Sequence, residues 1–573
     1  MFAPQVASQP PSSRDSPRLC PQLTRSELEG RQLLGSEPPV FTPSLHRSLR
    51  KDHEEAGAGA AARQAAIFFR PRTSILDYTE LMCQGSDHMR GLVTCFWTVV
   101  GAYLVSLLFA HYERSGEIMS RGLAGVIFSR AADLMISDLA LVASTAAVVP
   151  MVHLLWVGGA WRLPALLDPR HQGRGRLVQA AFEVAWLAAW YVWLGTRGWP
   201  WAQRCFFSLH TVVNWMKVHS YLSSNRRLAC ALRDVAYLRA QRKRQSDSAD
   251  SADSAANDAE TDAEIDALDA MLCPYTTRFP ANLTLANYAM FQLSPALVYE
   301  LEYPRTERIR WSYMAEKLVG TAGIFVVFYV VVAHLVIPHL ERMPETGVFV
   351  ATLHLMGPMA TCWLLFFFIT FDSIANGFAE LTRFADRRFY DDWWNARGLD
   401  EFSRKWNRPV HMFLARHIYM PVRESWHPGH PRKHPRVDDA HAPRQSSATV
   451  LSRLRQGVPP AIAAMAATFF FSSIMHEVTV VMACQRWNHA PLFFFQMMQI
   501  PLIICSEKLP WLKEQQALRN WAFWLAMVTF QPFLLCLYTY QAFANSSSSQ
   551  SLDVIVAGGA VNAMVAANAT KVS

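Results

Sequence analysis

Charge and disulfide chemistry are both thin in this chain. Acidic and basic residues make up 17% of its 573 residues, against 51% hydrophobic ones. An ordinary soluble chain carries about 25% charge, so the composition excludes that class and points to membrane-embedded segments. The ten cysteines are scattered singly, several in apolar stretches (Cys95, Cys362, Cys484, Cys505), with no CxxC pair. Neither a disulfide framework nor a zinc ribbon is therefore expected. No glycine-rich phosphate loop of the Walker or dinucleotide kind and no GxSxG elbow occurs, which removes ordinary nucleotide folds and serine hydrolases. The net charge of +8 fits basic loops that orient a polytopic protein, and nucleic acid is not an expected partner.

What is present is a series of apolar segments near residues 91–110, 133–157, 177–196, 205–222, 315–338, 348–371, 458–484, 490–506 and 520–542. A helix of about 20 apolar residues crosses a bilayer, so the expectation is an all-α polytopic membrane protein with about nine transmembrane helices. With the N-terminus cytosolic, the basic connections 158–176, 223–314 and 372–455 all fall in the cytosol, as charge bias requires. An odd count then places the C-terminus in the lumen, where the sequons at Asn545 and Asn568 would be accessible. The start, MFAPQVASQPPSSRDSPR, has no apolar run behind a basic stretch, so it does not read as a secretory signal.

The expected domains are a disordered tail (1–90), helices 1–4 (91–222), an acidic low-complexity linker (223–274), a catalytic core with helices 5–9 (275–544) and a luminal tail (545–573). The run QSDSADSADSAANDAETDAE has no apolar period and reads as unable to bury enough surface to fold. Residues 275–310 read as an interfacial, membrane-hugging helix with an Arg/Trp anchor.

Inside the apolar stretch from Val458 to Cys484 stand His476 and Glu477. An acid at mid-membrane depth costs roughly 2.5–3.5 kcal/mol, so such a pair reads as functional by default. A metalloprotease site needs HExxH, but Val478, Thr479 and Val480 follow, and no metal is expected. A buried structural pair and a general base both stay open. Imidazole suits the base, because its neutral form carries little desolvation penalty and takes a proton near neutral pH. Glu477 lies about 100° further around the helix and suits holding a neighbouring segment. Ser472, one turn earlier on the His476 face, would bind a ligand or back-bond to its own helix.

The second anomaly is 380–423, ELTRFADRRFYDDWWNARGLDEFSRKWNRPVHMFLARHIYMPVR, with eight aromatics between Phe389 and Tyr419 and basic groups interleaved. It reads as an amphipathic surface element or as a binding surface for a cofactor with phosphates and an adenine ring. His434 and Asp439 fit an HxxxxD pattern, and His427, His430 and His434 cluster. Both lie in a proline-rich stretch that breaks helical spacing, so neither is expected to form a rigid site.

FYDDWWN at 389–395, WNRPVH at 406–411 and SSIMHE at 472–477, in that order, resemble the sterol and diacylglycerol O-acyltransferase branch of the membrane-bound O-acyltransferases. LEYPRTERIRW, AELTRFADRRFYDDWWN and FFFQMMQIP look most like the fungal sterol type. The resemblance runs from about Phe279 to Ala544. It implies nine transmembrane helices around an intramembrane reaction chamber, assembled as dimers or tetramers in the endoplasmic reticulum. By the same resemblance His476 is the catalytic base and Asn407 its polar partner, with Glu477, Ser472 and Gln531 supporting. Phe389, Tyr390, Asp392, Trp393, Trp394 and Asn395 form the acyl-CoA-binding and structural motif, with Asp391 at its variable position. Arg404, Trp406, His411, Arg416 and Tyr419 lie toward the CoA entrance. Met412, Phe413 and Met420 depart from basic or aromatic residues found in some relatives, and Arg416 or Arg423 would substitute. Acyl-CoA enters as a substrate and no cofactor is implied. The acceptor is a sterol or, as the alternative, a diacylglycerol, drawn from membrane lipid.

Overall fold

The computed structural model describes residues 69–76, 87–116, 125, 128–157, 172–246, 254–274, 276–426, 458–484, 490–508 and 515–544. The helices are α1 (Asp87–Ser115), α2 (Ala131–Val157), α3 (Gln172–Thr196), α4 (Trp201–Ser246), α5 (Ser254–Leu272), α6 (Leu285–Leu293) and α7 (Trp311–Glu341). They continue with α8 (Val348–Leu381), α9 (Leu399–Lys405), α10 (Arg408–Leu414), α11 (Met420–Trp426), α12 (Pro460–Cys484), α13 (Pro491–Lys508) and α14 (Gln516–Ala544). Among the described residues the only β pairing is two isolated bridges, Arg72 with Asp386 and Arg305 with Phe384.

Each expected apolar segment coincides with one of these helices. Six of them, α2, α3, α7, α8, α12 and α14, are long and apolar enough to cross a membrane, while α1 and α13 carry shorter apolar stretches at Thr98–Ala110 and Pro491–Cys505. Their outward residues are large and apolar: Met135, Leu318, Phe349 and Trp521 are 65–74% exposed, as lipid-facing surface requires. α4 differs because Arg204, Asn214 and Lys217 are buried along it. It runs through the protein interior and packs on α2, α3, α5 and α12. The Lys217 ammonium donates to the carbonyls of Phe291, Gln292 and Ser294 at 2.7–2.9 Å, satisfying the C-terminus of α6.

Three elements differ from the expectations. Within the acidic stretch read as a linker, Ser254–Leu272 forms α5, folded back along the C-terminal part of α4. Ile265 and Leu272 are buried with Val235, and Arg239 and Arg242 pair with Asp269 and Asp262. Low complexity hid Ile265, Leu268 and Leu272, spaced three, then four residues apart on one helix face, which is enough for one narrow seam against a basic helix. Residues 276–310 are not a single interfacial helix. Pro280, Pro295 and Pro304 interrupt helical hydrogen bonding, leaving only α6 and an extended run whose Val298, Tyr299 and Leu301 are buried. Finally, part of the expected tail is ordered. Phe69 packs edge-on against Tyr303 and Phe384, and Arg72 pairs with the Asp386 carboxylate while exchanging backbone bonds with Ala385 and Arg387. The remainder of that tail, the sequons and the His427–Asp439 stretch lie outside the described residues.

Candidate active site

α12 presents its two ionisable residues to different surroundings. Glu477 is 4% exposed, whereas the His476 ring is accessible. His476 Nδ1 lies 2.8 Å from the carbonyl of Ser472, one turn back, and 3.4 Å from Ser472 Oγ. A carbonyl only accepts, so Nδ1 carries the proton and Nε2 is left with its lone pair. The ring's orientation is thus tied to its own helix.

The Glu477 carboxylate accepts from Tyr538 OH on α14 at 3.0 and 3.1 Å and from the Phe493 amide at 3.0 Å. That amide belongs to the first turn of α13, where a carboxylate meets unpaired N–H groups and the positive end of the helix dipole. Glu477 therefore ties α12 to both following helices and fixes the rotation at which α12 presents His476. Tyr538 was not singled out from sequence. The one signal for it is its spacing of seven from Gln531, which puts both on one face of α14. Gln531 is half-buried, makes no hydrogen bond among the described residues and precedes Pro532, which interrupts the helix ladder.

FYDDWWN forms a clasp. Phe389, Tyr390 and Trp393 are 1–2% exposed and sit among Phe367, Phe371, Trp363 and Trp406. Trp406 stacks on Trp363 at 4.3 Å and 10°. Tyr390 OH bonds Ser74 Oγ and accepts from the Leu76 amide. Asp391 neutralises buried Arg408 at 3.3 Å, and half-exposed Asp392 pairs with Lys405 at 2.9 Å. The Trp394 carbonyl accepts from Asn520 and Trp524 of α14. The buried rings thus have no face to offer a ligand. Asn395 is exposed and Trp394 half-exposed.

Asn407 caps α10, its side-chain oxygen accepting from the Val410 amide at 3.1 Å, as an N-cap asparagine does. Its amide nitrogen makes no hydrogen bond among the described residues. α10 and α12 meet through Trp215 of α4, which stacks on Phe471 at 5.6 Å and meets Phe413 edge-on at 6.3 Å. This layer lies one residue from Ser472 and about a turn and a half from His476. Arg404 pairs with Asp400 at 3.1 Å. Burial, then the charges of Arg404 and Arg408, push the His411 imidazole down to about 4, so it is neutral at pH 7.

Beyond Leu414, a π-helical turn, Ala415–Tyr419, precedes Pro421, whose ring displaces the carbonyl four residues back. Here the structure separates residues grouped from sequence. Arg416 pairs with Glu300 and lines a cavity of about 740 Å³ between α3, α4 and α11, while His411 and Tyr419 do not line it. On the wall of that cavity His219 donates from Nδ1 to Glu183 at 2.8 Å, and its ring meets His417 edge-on at 5.1 Å. His417 bonds Ser220 Oγ at 3.0 Å. Burial, then His219, hold the His417 imidazole well below its usual range.

Known proteins are similar to this chain in sequence. The model of the membrane-bound O-acyltransferase family matches residues 274–434. The probable sterol O-acyltransferase 2 of Schizosaccharomyces pombe is 28% identical over 468 residues, covering 78% of this chain and 86% of its own. Sterol O-acyltransferase 2 of Saccharomyces cerevisiae is 26% identical, covering 79% and 66%. Diacylglycerol O-acyltransferase 1 of Corylus americana is 29% identical but covers only 48% and 46%. With the apolar helices and the three motifs in place, the chain is similar over most of its length to sterol O-acyltransferases, and its residues 274–434 match the membrane-bound O-acyltransferase family.

Proposed function

We propose that the chain transfers a fatty acyl group from acyl-CoA to the hydroxyl of a sterol, forming a steryl ester within the membrane. The observation that carries this reading is the His476 tautomer: Nδ1–H is committed to the Ser472 carbonyl, leaving an accessible basic Nε2 in an otherwise apolar helix. Nε2 takes the sterol hydroxyl proton as the oxygen attacks the thioester carbonyl. The tetrahedral centre then expels CoA as a thiolate, which recovers the proton from the imidazolium, so ester and free CoA leave with the base restored. The free Asn407 amide is suited to orient the alcohol or to receive negative charge on the carbonyl oxygen. Acyl-CoA and sterol balance the reaction, and no cofactor enters it.

CoA is water-soluble and both acyl chain and sterol are not, which favours a centre reached from the cytosol and from lipid at once. Excluding water there also suppresses thioester hydrolysis. In this reading the protein is a homo-oligomer of the endoplasmic reticulum membrane, with a cytosolic N-terminus and a luminal C-terminus. Arg404, Trp406, His411 and Tyr419 flank the CoA path.

The test is esterification by membranes expressing the chain, given oleoyl-CoA with either sterol or diacylglycerol. Steryl ester should form, and His476→Ala should reduce turnover to background. Retained turnover in that variant would remove the assigned base. Preference for diacylglycerol, which the Corylus relative makes the second reading, would change the acceptor and leave the chemistry.

A further inference from the structure

The cavity between α3, α4 and α11 is not needed by the chemistry above, yet it is heavily charged. Arg176, Arg226, Arg227 and Arg416 reach it from three elements. Glu183, bonded to His219 and to Gln179 at 2.8 Å, Glu424 on the wall and Glu300, paired with Arg416, set three carboxylates against four guanidinium groups, a positive excess of one. Arg227 donates to Ser224 Oγ at 3.2 Å. Burial, then the nearby Arg416 charge, push its guanidinium down to about 10, as expected of a cation drawn out of water beside another.

The location is as specific as the charge. Arg176 is the second residue of the apolar stretch of α3, Gly175–Thr196, so the cavity opens where a spanning helix meets the membrane surface. Ala180, Ala415, Met420 and Pro421 supply an apolar wall beside the arginines. Paired guanidinium groups match phosphate oxygens in geometry and charge, and the phosphates of a bilayer lie at this depth.

We propose that this cavity binds a phosphate ester, specifically the headgroup phosphate of a membrane phospholipid, at a site separate from that of acyl-CoA. The guanidinium groups clamp the phosphate while the apolar wall receives the start of the lipid tail. A bound lipid there bridges α3, α4 and α11, and so braces the segment that leads from Asn407 toward α12.

The full chain, purified in detergent and depleted of lipid, tests this by native mass spectrometry and thermal shift. The probes are dioleoyl phosphatidic acid, dioleoylglycerol and inorganic phosphate, with oleoyl-CoA as competitor. Phosphatidic acid should bind and raise the melting temperature, dioleoylglycerol should not, and oleoyl-CoA should not displace the lipid. The double variant Arg226→Gln/Arg227→Gln should weaken lipid binding by about tenfold or more. Met420→Trp, which fills the cavity without changing charge, should do the same and covers the case in which the double variant fails to fold. Equal stabilisation by dioleoylglycerol, displacement by oleoyl-CoA or unchanged lipid binding in Met420→Trp would each overturn the proposal. Binding of inorganic phosphate but not phosphatidic acid would overturn the lipid source. None of these readouts depends on turnover, so they stand apart from the acyltransfer test.

Discussion

His476 and Glu477 are neighbours in sequence and divide their roles because a helix turns about 100° per residue. One side chain reaches open space and the other reaches α13 and α14. Tyr538 is then a positioning residue, acting through the carboxylate that it holds and that sets the rotation of α12. Tyr538→Phe removes one hydrogen bond to a charged group, worth about 1.5–3 kcal/mol. The expected result is a lower kcat with an unchanged KM for acyl-CoA, together with a lower melting temperature. Glu477→Gln, which can still accept from both partners, should restore more activity than Glu477→Ala.

His411 carries the pH dependence at this scale. Its folded-state value is about 4 against an ordinary 6.5, so between those limits the unfolded chain binds a proton that the folded one does not. Stability from this group is therefore complete above pH 6.5 and is lost as pH falls toward 4. His411→Gln should flatten that limb of a melting-temperature profile, and an unchanged limb would assign it to another group. His476 and His411 were legible in sequence because an ionisable residue stands out against apolar neighbours. Tyr538 was not, since its partner lies 61 residues away and a tyrosine in an apolar helix attracts no notice.

At the level of elements, FYDDWWN was readable as a string and not as an object. Composition suggested a surface that binds, whereas the fold spends most of its rings on joining α8, α14 and residues 69–76. Adjacent acids accordingly differ. Asp391→Asn leaves Arg408 buried without its carboxylate and should cost about 3–5 kcal/mol, seen as lost folded protein on size exclusion. Asp392→Asn, at a half-exposed pair, should cost about 1 kcal/mol or less. The acidic segment erred the other way, because its composition masked a seam that only the partner helix reveals. Ile265→Asp should release α5 from α4 and expose Arg239 to Arg244 to trypsin, read by limited proteolysis. Unchanged cleavage would mean that the ion pairs alone hold α5.

Across the whole molecule, charge inside the apolar region is paired between helices distant in sequence, and hydropathy alone does not reveal those pairings. Lys317 on α7, 4% exposed, meets Asp372 on α8 at 3.2 Å, where α8 widens into the π-helical turn Phe368–Ala375. Glu380 of α8 similarly gathers Arg310 and Arg387. The nine apolar segments could be placed from sequence because each is a local property, but their arrangement rests on these contacts. Removing one member of a buried pair leaves an uncompensated charge, whereas replacing both with apolar residues of similar size is often close to neutral. Lys317→Met alone should therefore lower the midpoint of thermal unfolding in detergent and the yield of folded protein. Lys317→Met combined with Asp372→Leu should recover most of both, because the helices then meet through apolar contact. If the double variant is no more stable than the single, the pair does more than cancel charge: it also fixes the register of α7 against α8, and the π-helical turn should be lost with it.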